Sequence, residues 1–257
     1  MAFWKTSLLA PAENLGRRIA SLAYGYYTWA MFAVLLLMFG ALALSAGRVQ
    51  RARRLARFFS RWMFRLAGMP VSARGLEHLP AEPHVLLANH TSFLDAILLS
   101  ALLPSTPGYA FVTRRQFALQ NLLWPFLRSV DTLILKPHGV LPHGGNVERM
   151  RSALQQGENL IVFPEGTFGP EPGLKAFHSG IFIAAAKARV PLVVVGLHGA
   201  REALRQGTWM PKRLPLALEI GTTLKPDGED ANAIHSLMLA ARKEMMELTG
   251  ESFSLEQ

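Results

Sequence analysis

The chain has 257 residues, of which half are apolar and 18% are charged, so it can bury the core of one α/β domain and still carry an appendage. The formal net charge is +9, and the absence of cysteine excludes disulfides and thiolate metal sites. The sequence also lacks a Walker loop, a dinucleotide-binding glycine pattern, a Gly-x-Ser-x-Gly elbow and a zinc-protease helix.

The first predicted element is a long apolar helix. No charged residue occurs from Ile19 to Gly47, and a helix of that length reaches roughly 40 Å, enough to cross a hydrocarbon core of about 30 Å with tilt. A cleaved signal peptide would use the small residues Ala43–Ala46, but the apolar stretch is too long and begins too late for one. Aromatic residues mark the start of the helix, where an interfacial belt would lie: Tyr24, Tyr26, Tyr27 and Trp29.

Two membrane topologies remain open for this helix. The arginines that follow it outnumber Lys5, Arg17 and Arg18 before it, so the positive-inside rule predicts that most of the chain lies in the cytoplasm. The alternative to a full span is a hairpin immersed in one leaflet, with the arginine-rich segment as its second arm. Either topology predicts a membrane protein with its catalytic part on the cytoplasmic side.

A basic amphipathic helix is predicted next. Seven arginines and no acidic residue lie between positions 48 and 65. Such a helix is typical of proteins that lie on an anionic membrane surface, although the same arginines could neutralise nucleic-acid phosphates. The apolar helix before it favours membrane lipids as the partner and argues against nucleic acid. On a helix, Arg54, Arg57 and Arg61 share one side, and the other side is apolar: Leu55, Phe59, Trp62 and Leu66.

From about Pro70, short apolar runs alternate with helical stretches. This alternation predicts an α/β fold, a mostly parallel sheet flanked by helices, for residues 69–257, after a membrane anchor at residues 1–68. The predicted strands are Val85–Ala88, Tyr109–Val112, Thr132–Leu135, Leu160–Phe163, Pro191–Val195 and Leu216–Ile220. The predicted helices are Phe93–Leu103, Gln116–Arg128, Asn146–Gln155, Ala176–Ala188 and Asp230–Leu248.

The first candidate site follows the first of these strands. In an open α/β sheet, ligands bind at the carboxyl edge of the strands, where His90 and Asp95 are expected. If His90 lies in the turn and Asp95 in the first helical turn, the carboxylate can hold one imidazole nitrogen and leave the other as a base. The alternative is purely structural: Thr91 or Ser92 caps the helix, and Asp95 complements its dipole.

The second candidate site is Phe163–Thr167, at the end of another apolar run. Proline, glutamate and glycine after a strand often form only a turn, with threonine capping the next element. However, both motifs occur at strand ends in a basic, membrane-anchored chain. Their joint occurrence favours a shared cleft that could support acyl transfer.

Together these residues resemble the glycerolipid acyltransferases typified by 1-acyl-glycerol-3-phosphate acyltransferase, over roughly Pro70 to Ile220. His90–Asp95 is similar to the His-x4-Asp motif of that family, and Phe163–Thr167 to its Glu-Gly-Thr-Arg motif. Val190–Val195 is similar to its Val-Pro-apolar-apolar-Pro-Val segment. The resemblance implies an O-acyltransferase that moves a fatty acyl chain from a thioester, either acyl-CoA or acyl carrier protein, to a lysolipid hydroxyl. It implies no metal or redox cofactor, because a thioester is already activated.

The resemblance also implies roles for individual residues. His90 would take the proton of the acceptor hydroxyl, and Asp95 would orient the imidazole ring. Backbone amides at the start of the following helix would hold the oxyanion. Glu165, Gly166 and Thr167 would position the acceptor, which we expect to be 1-acyl-sn-glycerol-3-phosphate, giving phosphatidic acid.

Two departures from the pattern of that family weaken the expected phosphate site. Phe168 stands where the family has an arginine, and a phenyl ring cannot replace a guanidinium. The second family motif is degenerate around Val130–Pro137, where Lys136 is the nearest cation. Lys136, Arg114 and Arg115 are therefore the candidate substrate-binding cations. Another lysolipid, or an aminolipid of the ornithine type, is the alternative acceptor.

Two further alternatives belong to other functional classes. A non-catalytic lipid-binding protein would use the arginine helix for adhesion only, and a hydrolase would let His90 activate water. A metal site built from histidines is not expected, because no pair of them has a spacing typical of metal ligands. The histidines considered are His84, His90, His138 and His143.

Overall fold

The computed structural model describes residues 6–45, 47–114, 127–136 and 144–253. Its helices are α1 (Thr6–Ser45), α2 (Val49–Ala67), α3 (Leu94–Leu102), α4 (Gly145–Gln155), α5 (Gly180–Ala188), α6 (Ala200–Ala203) and α7 (Ala231–Thr249), with a 3-10 helix at Leu76–His78. Its strands are β1 (Val71–Arg74), β2 (Val85–Ala88), β3 (Ala110–Arg114), β4 (Leu133–Leu135), β5 (Leu160–Val162), β6 (Leu192–His198) and β7 (Leu216–Leu224).

In the described part of the chain, the strands form one sheet of seven in the order β1-β7-β6-β2-β5-β3-β4. All neighbouring strands pair in parallel except β6 and β7, so β1 and β7 run opposite to the other five. This arrangement confirms the predicted α/β fold with a mostly parallel sheet flanked by helices.

Most predicted elements are present, with shifted ends. The sequence prediction missed β1 and stopped β6 and β7 several residues too early, at Val195 and Ile220. The helix predicted from Ala176 begins only at Gly180, because the preceding residues form an extended loop. Most of the helix predicted at Gln116–Arg128 lies outside the described residues.

The core has one layer on each face of the sheet because side chains alternate along each strand. From β2, Leu86 and Ala88 face α2 and α3, where Phe64 and Leu98 are fully buried. The neighbouring β2 residues, such as Leu87, face α4, α5 and α7. Because the sheet is covered on both faces, its central strands are apolar throughout.

The long helix α1 folds back on α2 as an antiparallel hairpin. Tyr24 donates its hydroxyl hydrogen to the carbonyl of Ala67 at 2.9 Å, near the end of α2. Further along α1, the rings of Phe39 and Phe59 lie 6.1 Å apart. The inner face of α1 also packs against the core through Trp29 and other apolar side chains, so the hairpin is fastened to the α/β domain.

Burial along α2 does not follow the predicted division into a basic and an apolar side. Phe59 is buried, but Trp62 and Leu66 are exposed beside the arginines. The inward side combines Ala52 and Met63 with the rings of Phe59 and Phe64. Arg53 is buried too, and its guanidinium contacts Glu158 at 3.0 Å at the amino edge of the sheet.

One stretch of α1, Leu15–Ala43, is long and apolar enough to cross a membrane, and little of it is buried. A signal sequence meets the same criterion, whereas the core helix of a soluble domain would be mostly buried. The helix exposes large apolar side chains along most of its length. These are Leu15, Ile19, Leu22, Tyr26, Tyr27, Val34, Leu37, Met38 and Leu42.

Candidate active site

The two predicted motifs lie side by side at the carboxyl edge of the sheet. Strands β2 and β5 pair in parallel, with Leu87 opposite Val162, so the segments that follow them leave the sheet together. The backbone N–H of His90 donates to Glu165 Oε1 at 2.9 Å, which joins the two motifs directly. Because β2 and β5 run in the same direction, both motifs lie at the edge where ligands bind in open α/β sheets.

Asn89 fixes the point where the chain leaves β2. Its side chain is fully buried, accepts a hydrogen bond from the Leu197 N–H at 2.7 Å and donates one to the Leu197 carbonyl at 3.1 Å. An asparagine can satisfy both groups at once because it carries a donor and an acceptor. The amide therefore extends the β2–β6 pairing beyond Ala88 and fixes the backbone next to His90.

His90 and Asp95 are in direct contact. His90 Nδ1 lies 2.9 Å from Asp95 Oδ2, and the carboxylate is completely buried while the ring keeps 18% of its surface exposed. An ionised carboxylate here favours the tautomer with hydrogen on Nδ1, which leaves Nε2 free to accept a proton. The geometry matches the arrangement expected from the spacing, and the catalytic role of the pair stays a prediction.

Asp95 also organises the turn that carries the histidine. Its Oδ2 accepts the N–H of Thr91 at 2.6 Å and that of Ser92 at 2.8 Å, and the Leu94 N–H is bound by Ser92 Oγ. These contacts occupy the amides of Thr91, Ser92 and Leu94, and the oxyanion role expected of backbone amides at the helix start stays a prediction. The residue at the N-cap of α3 is Phe93 and it makes no side-chain capping bond, so the alternative of a cap by Thr91 or Ser92 is not what the structure shows. Asp95 instead holds the turn and the imidazole at once.

Two aromatic rings contact the imidazole, and a third packs against one of them. Phe163 stacks on His90 with ring centroids 4.1 Å apart and planes 16° from parallel, and Phe168 lies against it at 4.3 Å. Phe93 packs edge-on against Phe168, with 58% of its own surface exposed. The ring is thus held between apolar surfaces, which limits its rotation and keeps water from one side. Phe168, only 8% exposed, belongs to this packing.

Glu165 links the turn after β2 to its own loop, the one between β5 and α5. It is 4% exposed, and its second oxygen, Oε2, accepts the Lys175 N–H at 2.8 Å. Burial raises its pKa to about 7, although the two backbone hydrogen bonds favour the charged form and act in the opposite direction. Each oxygen therefore accepts one backbone N–H, and the acceptor-positioning role of Glu165 stays a prediction.

Gly166 and Thr167 form the turn beside the histidine. Gly166 has φ of +70° and closes the turn by donating its N–H to the Phe163 carbonyl at 3.0 Å. A left-handed backbone is a conformation that side chains other than glycine rarely adopt, so the turn explains this glycine. Thr167 is exposed beyond it and is available to a ligand. Its role in acceptor binding stays a prediction.

The structure places the predicted cations at the same edge but further along. Arg114 ends β3, two strands from β2, and Lys136 follows β4, three strands away, which is roughly 14 Å at the usual strand spacing. Lys136 is exposed, and its backbone pairs with the Asn146 side chain. The Arg114 side chain and the whole of Arg115 lie outside the described residues. The structure does not bring Lys136 next to His90.

Comparison with known proteins gives the wider context. The acyltransferase family profile matches residues 70–198, which are 129 of the 257 residues and include both motifs. The chain belongs to the acyltransferase family. The matched region runs from just before β1 to the end of β6, so it contains the sheet edge that carries His90 and Glu165.

Two curated relatives are from Pseudomonas aeruginosa. A lyso-ornithine lipid O-acyltransferase is 29% identical over 153 residues, which are 59% of this chain and 56% of that protein. A 1-acyl-sn-glycerol-3-phosphate acyltransferase is 25% identical over 206 residues, 77% of each chain. The chain thus spans little more than half the length of the first relative and about three quarters of the second.

A solved structure has a similar fold. The 1-acyl-sn-glycerophosphate acyltransferase PlsC from Thermotoga maritima superposes with a TM-score of 0.71 over 90% of this chain and 97% of that one, at 21% identity. At this identity the likeness concerns the fold. It includes much of the helical hairpin, since 90% coverage cannot be reached by the α/β domain alone.

Sequence reasoning missed two arginines that hold the acyltransferase site loop in place. Arg201, buried on α6, contacts Glu251 Oε1 at 2.6 Å and the Glu171 carbonyl. Arg205 pairs with the Glu171 carboxylate at 2.8 Å, so both fasten the loop after Phe168. The available signal was the pair of arginines shortly after the apolar strand that ends at His198.

In the described part of the acyltransferase chain, no group of three or more histidines, aspartates and glutamates could hold a metal ion. His84 and His90 lie at opposite ends of β2, and His84 is engaged with the Tyr109 hydroxyl at 3.0 Å. His138 and His143 lie outside the described residues.

Proposed function

We propose that this chain is a membrane-bound O-acyltransferase that moves a fatty acyl chain from a thioester donor to the hydroxyl of a lysolipid. The observation that carries the proposal is the His90–Asp95 pair at the sheet edge, 2.9 Å apart, with the ring partly exposed and the carboxylate buried. Membership of the acyltransferase family supports it. The donor is acyl-CoA or acyl carrier protein, and the chemistry needs no metal or redox cofactor.

The reaction follows from the free imidazole nitrogen. His90 Nε2 accepts the proton of the acceptor hydroxyl as its oxygen attacks the thioester carbonyl carbon. The tetrahedral intermediate then expels the thiolate, which recovers a proton from the imidazolium. Asp95 stabilises the imidazolium and keeps the ring in place, as the carboxylate of a serine-protease triad does. Thr167 and Gly166 bind the acceptor at the same edge.

The hairpin arrangement favours embedding in one leaflet over a full span. A full span by α1 would carry α2 into the hydrocarbon, because the two helices pack along each other. An arginine at the bilayer centre costs roughly 2.5–3.5 kcal/mol by insertion scales, and α2 carries several. With α1 lying along the interface, its apolar stripe meets lipid and the arginines of α2 meet anionic headgroups.

The preferred acceptor in this proposal is 1-acyl-sn-glycerol-3-phosphate, which gives phosphatidic acid. The relative with the most even coverage bears that activity in its name. A phosphate-free acceptor such as a lyso-ornithine lipid is the second candidate, and the observation that favours it is Phe168. This residue contributes an apolar ring beside His90, and the predicted cations Arg114 and Lys136 lie two and three strands from β2. The name of the other Pseudomonas relative agrees with this alternative.

The test of the reaction is His90→Ala, assayed with a thioester donor and a lysolipid in mixed micelles. We expect acyl transfer to fall on the order of a hundredfold or more, because the general base is lost. His235→Ala, at an exposed histidine on α7, is the matched control and should retain full activity. Wild-type turnover by His90→Ala would refute the mechanism.

The products decide between acceptors and between functional classes. Mass spectrometry after incubation with mixed donors and mixed lysolipids should show acylated lysophosphatidic acid as the main product. A product made only from phosphate-free lysolipids would establish the second candidate instead. Free fatty acid without an acylated lipid would identify a hydrolase, and no turnover of any thioester would leave a lipid-binding protein.

A further inference from the structure

The loop between α6 and β7 lies beside the catalytic turn. Because β7 runs antiparallel to β6, this loop is at the same edge of the sheet as His90. The Ser92 hydroxyl donates to the Leu204 carbonyl at 2.8 Å, which ties the start of the loop to the His90 turn. Loop 205–213 therefore lies next to the site but is not part of it.

The same loop is docked on the apolar helix. The Trp29 indole N–H donates to the Trp209 carbonyl at 2.6 Å, and the two indole rings lie 6.3 Å apart. Met210 lies so close to Gly25 that a Cβ at that glycine would meet its sulfur. These contacts fix the loop against the same segment of α1 that carries the cluster of tyrosines.

The Trp209 side chain nevertheless faces outward. With 76% of its surface exposed, it is more exposed than any other large apolar side chain in the described residues. It continues the exposed aromatic surface of α1, where Tyr26 is 68% exposed. Lys212 and Arg213 follow it, and no acidic residue occurs from Arg205 to Arg213, although Arg205 itself is paired with Glu171.

We propose that loop 205–213 is a second membrane contact, supplied by the α/β domain itself, with Trp209 inserted at the lipid–water interface beside Trp29. Indole rings favour this interface because their apolar body and polar N–H suit the headgroup level. Lys212 and Arg213 supply the positive charge that an anionic leaflet attracts. The inference rests on the proposed membrane association of α1, which it extends to the catalytic domain.

A second anchor would set the height of the active site above the bilayer. A hairpin alone leaves the domain free to tilt about its axis, whereas a contact at the His90 edge removes that freedom. The acceptor hydroxyl of a lysolipid lies at headgroup depth, the same depth at which an interfacial tryptophan rests. The Ser92–Leu204 hydrogen bond then links the anchored loop to the catalytic turn.

The first experiment measures binding of the full chain to vesicles of phosphatidylethanolamine and phosphatidylglycerol. Trp209→Ala should bind about tenfold more weakly, because an inserted indole buries a large apolar area. Leu239→Ala, at an exposed leucine on α7, is the matched control and should bind like the wild type. Brominated lipids should quench wild-type tryptophan fluorescence, and Trp209→Phe should lose a measurable part of that quenching.

The second experiment separates membrane contact from catalysis. Trp209→Ala should be several-fold slower with an acceptor embedded in vesicles, yet equal to the wild type with a short-chain acceptor in solution. Equal activity in solution also shows that the variant is folded. A loss in both assays would overturn the inference by making Trp209 part of the catalytic machinery.

The remaining outcomes distinguish this inference from the proposed function. If the wild type does not bind vesicles, membrane association fails and the inference fails with it. If the wild type binds vesicles, but Trp209→Ala binds equally well and Trp209→Phe is quenched as strongly as the wild type, only the inference is overturned. A change from dimer to monomer in Trp209→Ala would assign the exposed indole to a contact between copies and would also overturn it.

Discussion

Glu165 shows how one buried side chain can serve a site without touching the substrate. Its two oxygens accept the backbone N–H groups of His90 and Lys175, at 2.9 and 2.8 Å, so it fixes the distance between the two motif loops. Burial raises its pKa to about 7, and the negative charge of Glu251 nearby acts in the same direction. The stabilisation that Glu165 gives to the two loops therefore depends on pH.

From the raised pKa of Glu165 we predict that the stability of the fold depends on pH. The folded-state pKa of Glu165, about 7, lies above the ordinary value of 4.5, so its contribution is complete below pH about 4.5 and is lost as pH rises through about 7. The free energy of unfolding should therefore fall between about pH 4.5 and about pH 7, by on the order of 3 kcal/mol from this residue. Urea unfolding in detergent, followed across that range, measures the fall.

Glu165→Gln isolates the effect. Glutamine does not titrate, so the fall with pH should flatten. The variant should also be less stable at about pH 5 by roughly 1–3 kcal/mol, because its NH₂ group faces one of the two backbone donors. Glu229→Gln, at an exposed carboxylate, is the control and should follow the wild-type curve. An unchanged slope in Glu165→Gln would show that another group causes the pH dependence.

At the level of single residues, the sequence predicted where the site residues lie better than it predicted which groups they contact. His90 and Asp95 could be placed because a strand end followed by a helix start leaves few geometries for a five-residue spacing. The hydrogen bonds of Glu165 could not be predicted, because its donors are backbone N–H groups, which every residue except proline has. Phe168 was noted only as a missing arginine, and its packing on the imidazole depends on the loop held by Arg201 and Glu251.

Among the elements, α2 shows that helical periodicity does not always predict which side of a helix is buried. An arginine-rich helix with aromatic residues can be read as two-sided, yet it packs with Ala52 and Met63 inward and leaves Trp62 outward. Contact with the core and with α3 determines which side faces inward, and Phe59 and Phe64 of α2 are buried on that side as well. The exposed surface therefore mixes rings with guanidinium groups, and Arg65 lies 5.5 Å from the Trp62 ring.

This mixed surface predicts how α2 responds to loss of charge. Arg54 and Arg61 are exposed, and each arginine near an anionic surface contributes about 1 kcal/mol. Arg54→Gln combined with Arg61→Gln should therefore weaken binding to phosphatidylglycerol-containing vesicles roughly thirtyfold. Co-sedimentation at low and high salt checks this, because added salt should reduce the difference.

The matched control for this pair removes two other exposed charges. Lys225→Gln combined with Lys243→Gln lowers the net charge equally but acts on and before α7, away from the hairpin. Binding should then stay close to wild type. If both double variants weakened binding alike, net charge and not the α2 surface would be the cause.

For the whole molecule, the decisive feature is that the long apolar helix α1 is also packed on the α/β domain. Tyr24 and Trp29 contact the end of α2 and the Trp209 loop, both near the His90 edge of the sheet. The sequence foretold a long apolar helix and a basic helix but left open whether they crossed the bilayer. Composition alone permits both topologies, and the packing of α1 along α2 supports the one-leaflet topology proposed above.

A one-leaflet hairpin makes a prediction about sidedness. Because the natural chain has no cysteine, a single one can be introduced at either end of α1, at Ser7 or at Ser45. Both positions should react with a membrane-impermeant maleimide from the same face of the bilayer, the face that also exposes a cysteine placed at Leu239 on α7. Inside-out and right-side-out vesicles provide the two accessible faces. Labelling of Ser7→Cys from the opposite face would require α1 to cross the membrane. In that case α1 would have to separate from α2, because burial of the α2 arginines in hydrocarbon is too costly.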